Sequence, residues 1–200
     1  MVARSEQSRQ AILKATMDLL DERNPEALSV RKLSIEKIAQ EAGVSKTTIY
    51  RWWSSKAEVV LDTILDNHLA RTPVRTDLPA LDALREHLAS LATVYAGWEG
   101  RLMAQLIGEC QSDPEAMRIF HERFFEPRSR TAIAIVERAV EEGTLGSDID
   151  VETVTETLYA PLYFRLLLHM GEIDRAFTDA LIDSALLGIA PGSAPAARDH

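Results

Sequence analysis

The sequence predicts an all-α fold of about nine to ten helices, a small N-terminal three-helix unit followed by a larger C-terminal helical bundle. Three observations carry this. Apolar residues recur at three- and four-residue steps almost throughout, while Val, Ile and Thr never alternate with polar residues for long. Ser, Asp and Pro stand where helices of that period must begin, and Gly or Pro where they must end. With 46% hydrophobic and 26% charged residues in 200 positions, the chain can bury a substantial core and reads as an ordinary globular protein.

The first helix is expected from about Ser5 to Glu22, with Ile12, Ala15, Thr16, Leu19 and Leu20 on one face, stopping at Asn24-Pro25. Two short helices follow, at about 35–42 and 46–53. A fourth begins at Ser55-Lys56-Ala57-Glu58, where the serine oxygen can accept from the Glu58 backbone and Glu58 can reach back, and it runs to about Ala70. Thr72–Pro79 has a proline near each end and reads as a linker, which places the domain boundary there: residues 1–56 with a connecting helix over 55–70, then 77–190. Beyond it, Pro79–Ala96 turns Leu81, Leu84, Leu88 and Leu91 inward, and a further helix runs from about Trp98 to Cys110. Asp113-Pro114 restarts the chain for a helix to about 125, and Pro127 starts the next, ended by Gly143. Asp150 caps a long helix closed after Met170 by Gly171, and Asp174 caps the last, to about Ile189. Pro161 inside the long helix costs about 3 kcal/mol unless the helix bends there. The Ala/Pro/Gly/Ser-rich tail 191–200 is expected to be disordered.

The net charge of −9 hides an asymmetry: residues 1–56 hold ten Lys/Arg against seven Asp/Glu, and the other 144 hold twelve against twenty-four. A polyanion is attracted by the first segment and repelled by the second. No apolar stretch follows the N-terminal basic residue and no run approaches the ~18 apolar residues of a spanning helix, so a cytoplasmic protein with no membrane partner is expected. Cys110 is the single cysteine, which leaves no intrachain disulfide or Cys-based zinc site and suits a small buried hydrophobe. There is no Gly-x-Ser-x-Gly, Walker loop or His-Glu-x-x-His, and the five histidines at 68, 87, 121, 169 and 200 are scattered. The sequence therefore implies no enzyme, no metal and no cofactor.

Residues 34–53 are the informative stretch. Two helices crossing through a tight turn need a small residue at the contact, which Ala39 supplies, and unusual backbone angles in the turn, which Gly43 supplies. Ile38, Val44, Ile49 and Trp53 then fall inward. Ser34 and Ser45 precede the two helices and are candidate DNA contacts, and the exposed start Lys46-Thr47-Thr48 offers donors and a methyl group suited to base edges. Tyr50, Arg51 and Trp52 flank the outward face and can reach phosphates, as can Lys56 in the first turn of the following helix. The rival reading is a helical ligand- or protein-binding module whose N-terminal hairpin does not bind DNA. Salt dependence separates the two.

The run Ile38-Ala39-Gln40-Glu41-Ala42-Gly43-Val44-Ser45-Lys46-Thr47-Thr48-Ile49-Tyr50-Arg51-Trp52-Trp53-Ser54-Ser55-Lys56 resembles the signature of the TetR family of repressors. The resemblance implies that the helix at about 46–52 enters the major groove, that Tyr50 and Lys56 bind phosphates, and that Trp53 fills a buried aromatic position. Trp52 departs from the histidine of many members, and Asn24-Pro25 replaces the glycine that usually follows the first helix. Leu158–Leu167 resembles, more weakly, a segment of one C-terminal subclass.

The same resemblance implies a homodimer paired through the last two helices, palindromic operator DNA as partner, and a small-molecule inducer bound in the C-terminal half. Ala180, Ser184 and Gly188 form a small-residue stripe, with Leu158, Phe177 and Leu181 as bulk beside it. Candidate pocket residues are Tyr95, Trp98, Met103, Met117, Phe120, His121, Phe124, Tyr163 and Phe164, although plain core packing explains each of them as well. His87 and Arg165 are available to orient a polar group.

Overall fold

The computed structural model describes the backbone of residues 2–68 and 72–189, and the surroundings of side chains 6–66 and 72–186. Among these residues there is no strand. The helices are α1 (Val2–Leu20), α2 (Ile35–Glu41), α3 (Lys46–Tyr50), α4 (Lys56–His68), α5 (Ala80–Ala96), α6 (Trp98–Cys110), α7 (Pro114–Phe120), a π segment (His121–Phe125), α8 (Glu126–Glu141), α9 (Val151–Leu168) and α10 (Arg175–Ile189). Residues 69–70 of the expected connecting helix, the tail 191–200 and the surroundings of Gly188 lie outside the described residues.

The helices sort into two compact units, Met1–Arg71 with Gly97–Glu126, and Thr72–Ala96 with Pro127–His200. The grouping therefore does not follow a single cut at the proline-rich linker. In the first unit α1 packs on α2, α3 and α4, and α4 packs on α6 and α7. Its core joins Ile12, Leu13 and Leu20 to Ile38, Ile49, Val59, Leu61, Leu106 and Phe124, all buried. Thr16 and Thr63 are buried too, and each hydroxyl is satisfied by the carbonyl one turn back, at 2.8 Å. Burial pushes the Cys110 thiol up to about 11, so it behaves as an inert packing group. In the second unit α5 packs on α9 and α10. Leu84, Leu88, Leu91, Leu158, Leu162 and Ile182 are buried there.

Capping accounts for most helix starts. Asp113 accepts from the backbone of Glu115 and Ala116, Asp150 from Glu152 and Thr153, and Asp174 from Phe177. At α4, Ser55 accepts from the Glu58 backbone at 3.2 Å, while Glu58 reaches back to the backbone and hydroxyl of Ser54 rather than to Ser55.

Several helix boundaries differ from expectation: α1 runs Val2–Leu20 rather than about 5–22, and α3 ends at Tyr50 rather than about 53. Pro127 does not start a new helix, because helical hydrogen bonding continues from Pro114 through the π segment into α8. Pro127 has no N–H to give, and the widened turn before it, in which the Glu126 N–H bonds the His121 carbonyl, lets the chain pass through without a break. The long helix α9 ends at Leu168, before Met170: His169 takes a left-handed conformation at φ 54° and Gly171 another at φ 77°. Arg165 donates to the Glu172 carbonyl and lies 3.5 Å over the Phe177 ring. That anchor turns the chain early enough to bury Ile173. Among the described residues no helix is long and apolar enough to cross a membrane.

Candidate nucleic-acid interface

The geometry of residues 34–53 follows from three local devices. Ser34 accepts from the Lys37 N–H at 3.3 Å and Ser45 from the Thr48 N–H at 3.2 Å, so both short helices start on a side-chain cap. Gly43 sits at φ 65° with open space around the position a Cβ would take, so backbone conformation alone demands glycine there. Ile38, Ala39, Ile49 and Trp53 are buried beneath the turn, while Val44 is half-buried.

With that face buried, α3 presents the opposite one. Lys46, Thr47, Tyr50 and Arg51 are exposed, Tyr50 at 55%, and Trp52 just beyond is 41% exposed. Thr48 is half-buried, its hydroxyl 2.9 Å from that of Ser45. Lys46 donates to Glu36 of α2 at 2.8 Å, an exposed pair in which the carboxylate holds the ammonium above its usual range and is itself held below its own. The Trp52 ring lies 6.3 Å from that of Trp53.

Lys56 is placed differently from the other expected contacts. Its ammonium donates to the Val30 carbonyl at 2.8 Å and lies 3.4 Å from Glu109 of α6. Gln105, one turn earlier on α6, accepts from the Val30 N–H at 2.8 Å. Lys56 thus ties α4 to the loop before α2 rather than standing in the exposed row.

Sequence reasoning missed Asp62. This carboxylate is 7% exposed, accepts from the Trp53 indole N–H at 2.8 Å and from Arg9 at 3.3 Å, and is paired with Arg123 of the π segment. Arg123 also stands 3.7 Å from Glu58. The signal was an Asp on the inward, apolar face of α4, where a charge requires partners.

The nine candidate pocket residues fall into the two units. Met103, Phe120 and Phe124 are buried in the first, with the two phenylalanine rings stacked 5.1 Å apart. Met117 is half-buried, Trp98 lies under the Arg23 guanidinium at 6.0 Å, and His121 is exposed against Phe125. In the second unit Tyr95 and Tyr163 share a hydroxyl–hydroxyl hydrogen bond of 3.1 Å, while Phe164 is 53% exposed. Of the expected dimer residues, Ala180 and Ser184 are exposed, Phe177 and Leu181 are half-buried, and Leu158 is enclosed in the monomer's own core. Arg165 is engaged by Phe177 and Glu172.

Residues 12–63 match the family described as bacterial regulatory proteins, tetR family. Residues 79–185 match the tetracyclin repressor-like C-terminal domain. The HTH-type transcriptional regulator YdeS of Bacillus subtilis is 34% identical over 191 residues, covering 96% of this chain and 94% of that protein. The DNA-binding transcriptional repressor TetR of Mycobacteroides abscessus is 32% identical, covering 96% and 100%. The crystal structure of the TetR family transcription regulator SCO0332 superposes with a TM-score of 0.70 at 29% identity, covering 92% of this chain and all of that one. An outward α3 held by a glycine turn, family matches at both ends of the chain and relatives alike along nearly its whole length agree: the chain belongs to the TetR family of DNA-binding transcriptional regulators.

Proposed function

We propose that this regulator is a ligand-responsive repressor, a homodimer that binds palindromic operator DNA through residues 1–56 and is released when a small-molecule inducer binds within 77–190. One observation carries the DNA contacts: the Ser45-capped helix α3 exposes Lys46, Thr47, Tyr50 and Arg51 together on one face. Thr47 and Lys46 are suited to base edges and Tyr50, Arg51 and Trp52 to phosphates. Lys56 joins the phosphate contacts only after exchanging Val30 and Glu109 for DNA. The Mycobacteroides abscessus relative carries the name of repressor, which supports the same sign of control here. An inducer must prefer a protein geometry that spaces the two reading helices wrongly, since equal affinity for both states shifts nothing.

Selection of bound sequences from a random DNA pool tests this reading. The expected product is an inverted repeat with half-sites about one helical turn apart. Enrichment of no sequence, or of a site without symmetry, refutes it. On the selected operator, Thr47→Ala relaxes preference at one base position, whereas Arg51→Ala weakens all duplexes alike and lowers the salt slope by about one unit.

A further inference from the structure

In the second unit α5 and α9 bring four rings together. His87 and Tyr95 lie on α5, Tyr159 and Tyr163 on α9. The Tyr95 and Tyr163 rings are 5.7 Å apart, and those of His87 and Tyr159 are 5.9 Å apart. Arg128 of α8 lies within electrostatic reach of His87, Tyr95 and Tyr163. Two polar atoms of these four rings, His87 Nδ1 and Tyr159 Oη, are sealed from solvent and have no hydrogen-bond partner, and His87 as a whole is only 8% exposed. Buried polar atoms are ordinarily paired, and each one left open is costly, so a matched couple of them on facing helices calls for a partner.

Their protonation states define that partner. His87 also bonds the backbone of Pro73, which has no N–H, so the imidazole is the donor. Since Nδ1 is unpartnered, the donor is Nε2–H. Burial, together with the Arg128 charge, holds the imidazole below its usual range and keeps it neutral, which leaves Nδ1 as an acceptor. Burial pushes Tyr159 far above the usual phenol range, so it keeps its proton and donates. The cluster offers one acceptor and one donor among aromatic faces.

We infer that the inducer is an aromatic compound bearing a hydroxyl group, which donates to His87 Nδ1 and accepts from Tyr159 Oη. This rests on the reading of the C-terminal helices as the inducer domain and names the chemistry they select. A carboxylate or a ketone can accept from Tyr159 but has no proton to give Nδ1. A hydroxyl completes both, and the surrounding rings suit a planar apolar body.

The first test needs no ligand. Tyr159→Phe removes a buried unpaired hydroxyl, so the free protein gains about 2–4 °C in Tm. A lower Tm means that the hydroxyl already has a partner, which overturns the inference. The second test is calorimetry of the full chain with 4-phenylphenol, biphenyl and biphenyl-4-carboxylate. The phenol binds about tenfold tighter than biphenyl, the gap closes in Tyr159→Phe and narrows in His87→Phe, and only the phenol releases operator. Tightest binding by the carboxylate, or equal binding of phenol and biphenyl, overturns the hydroxyl class while leaving an inducer site in place. Binding of none of the three overturns the cluster as a site. The inducer reading itself falls only if no member of a broad small-molecule library releases the operator.

Discussion

Asp62 holds an indole N–H and two guanidinium groups in a nearly closed environment. Removing the carboxylate leaves the buried indole N–H without its acceptor and takes one partner from each guanidinium, although Arg123 keeps Glu58 and Arg9 keeps Glu6, and losing one partner of a buried charged set costs about 3–5 kcal/mol. Asp62→Ala should therefore lower Tm by on the order of 10 °C in calorimetry, with Trp53 fluorescence shifting as its anchor is lost. Arg9 is partly solvated, so Arg9→Ala should cost much less. Gly43 makes the opposite kind of demand. Its space is open and its φ is positive, so Gly43→Ala should cost about 1–2 kcal/mol, and Gly43→Asn less, in urea denaturation. His87 gives stability a pH dependence of known sign. Its folded value lies below the ordinary 6.5, so the unfolded chain takes up the proton first; the contribution is fully present above that pH and is lost as pH falls toward the folded value. Thermal melts at about pH 8 and pH 5.5 should show a smaller acid loss for His87→Phe than for wild type.

At the scale of elements, α3 is a five-residue helix and depends on its cap. Ser45→Ala removes the acceptor for the Thr48 N–H and should weaken the operator complex about fivefold, equivalent to about 1 kcal/mol, in a gel-shift titration at fixed salt. Caps are also why so much of the secondary structure was legible. Asp113, Asp150, Asp174 and Ser45 each declare a helix start within three or four residues of their own position, and all four act where the sequence placed them. The passage through Pro127 was not legible, since proline reads locally as a helix start and only the π turn behind it allows continuity. Nor was the Asp62 set, whose arginines stand 53 and 61 residues away in sequence. The exposure of Tyr50, Arg51 and Trp52 was legible from period alone, whereas the engagement of Lys56 depends on Glu109, a partner no local pattern announces.

For the whole molecule, the proposed assembly needs an apolar surface, and among the described residues the end of α9 offers one beside the exposed Ala180 and Ser184 of the stripe expected on the last helix. Phe164, Leu167 and Leu168, three and four residues apart near the end of α9, are exposed, Leu168 at 56%, with Met170 following. Leu158 is already used within the monomer. Leu168→Glu should give a folded monomer by sedimentation and lose most operator affinity, since one reading unit makes too few contacts. An unchanged dimer would place the interface elsewhere. The Lys46–Glu36 pair also has a consequence for how a regulator searches a genome. Glu36 is a tethered counter-ion: in the proposed complex any duplex, cognate or random, must displace it before meeting Lys46. On that proposal it would shorten residence on every sequence by a common factor and leave discrimination to neighbours without such a rival. Glu36→Gln should consequently tighten cognate and random complexes in parallel, slowing the search without sharpening the choice.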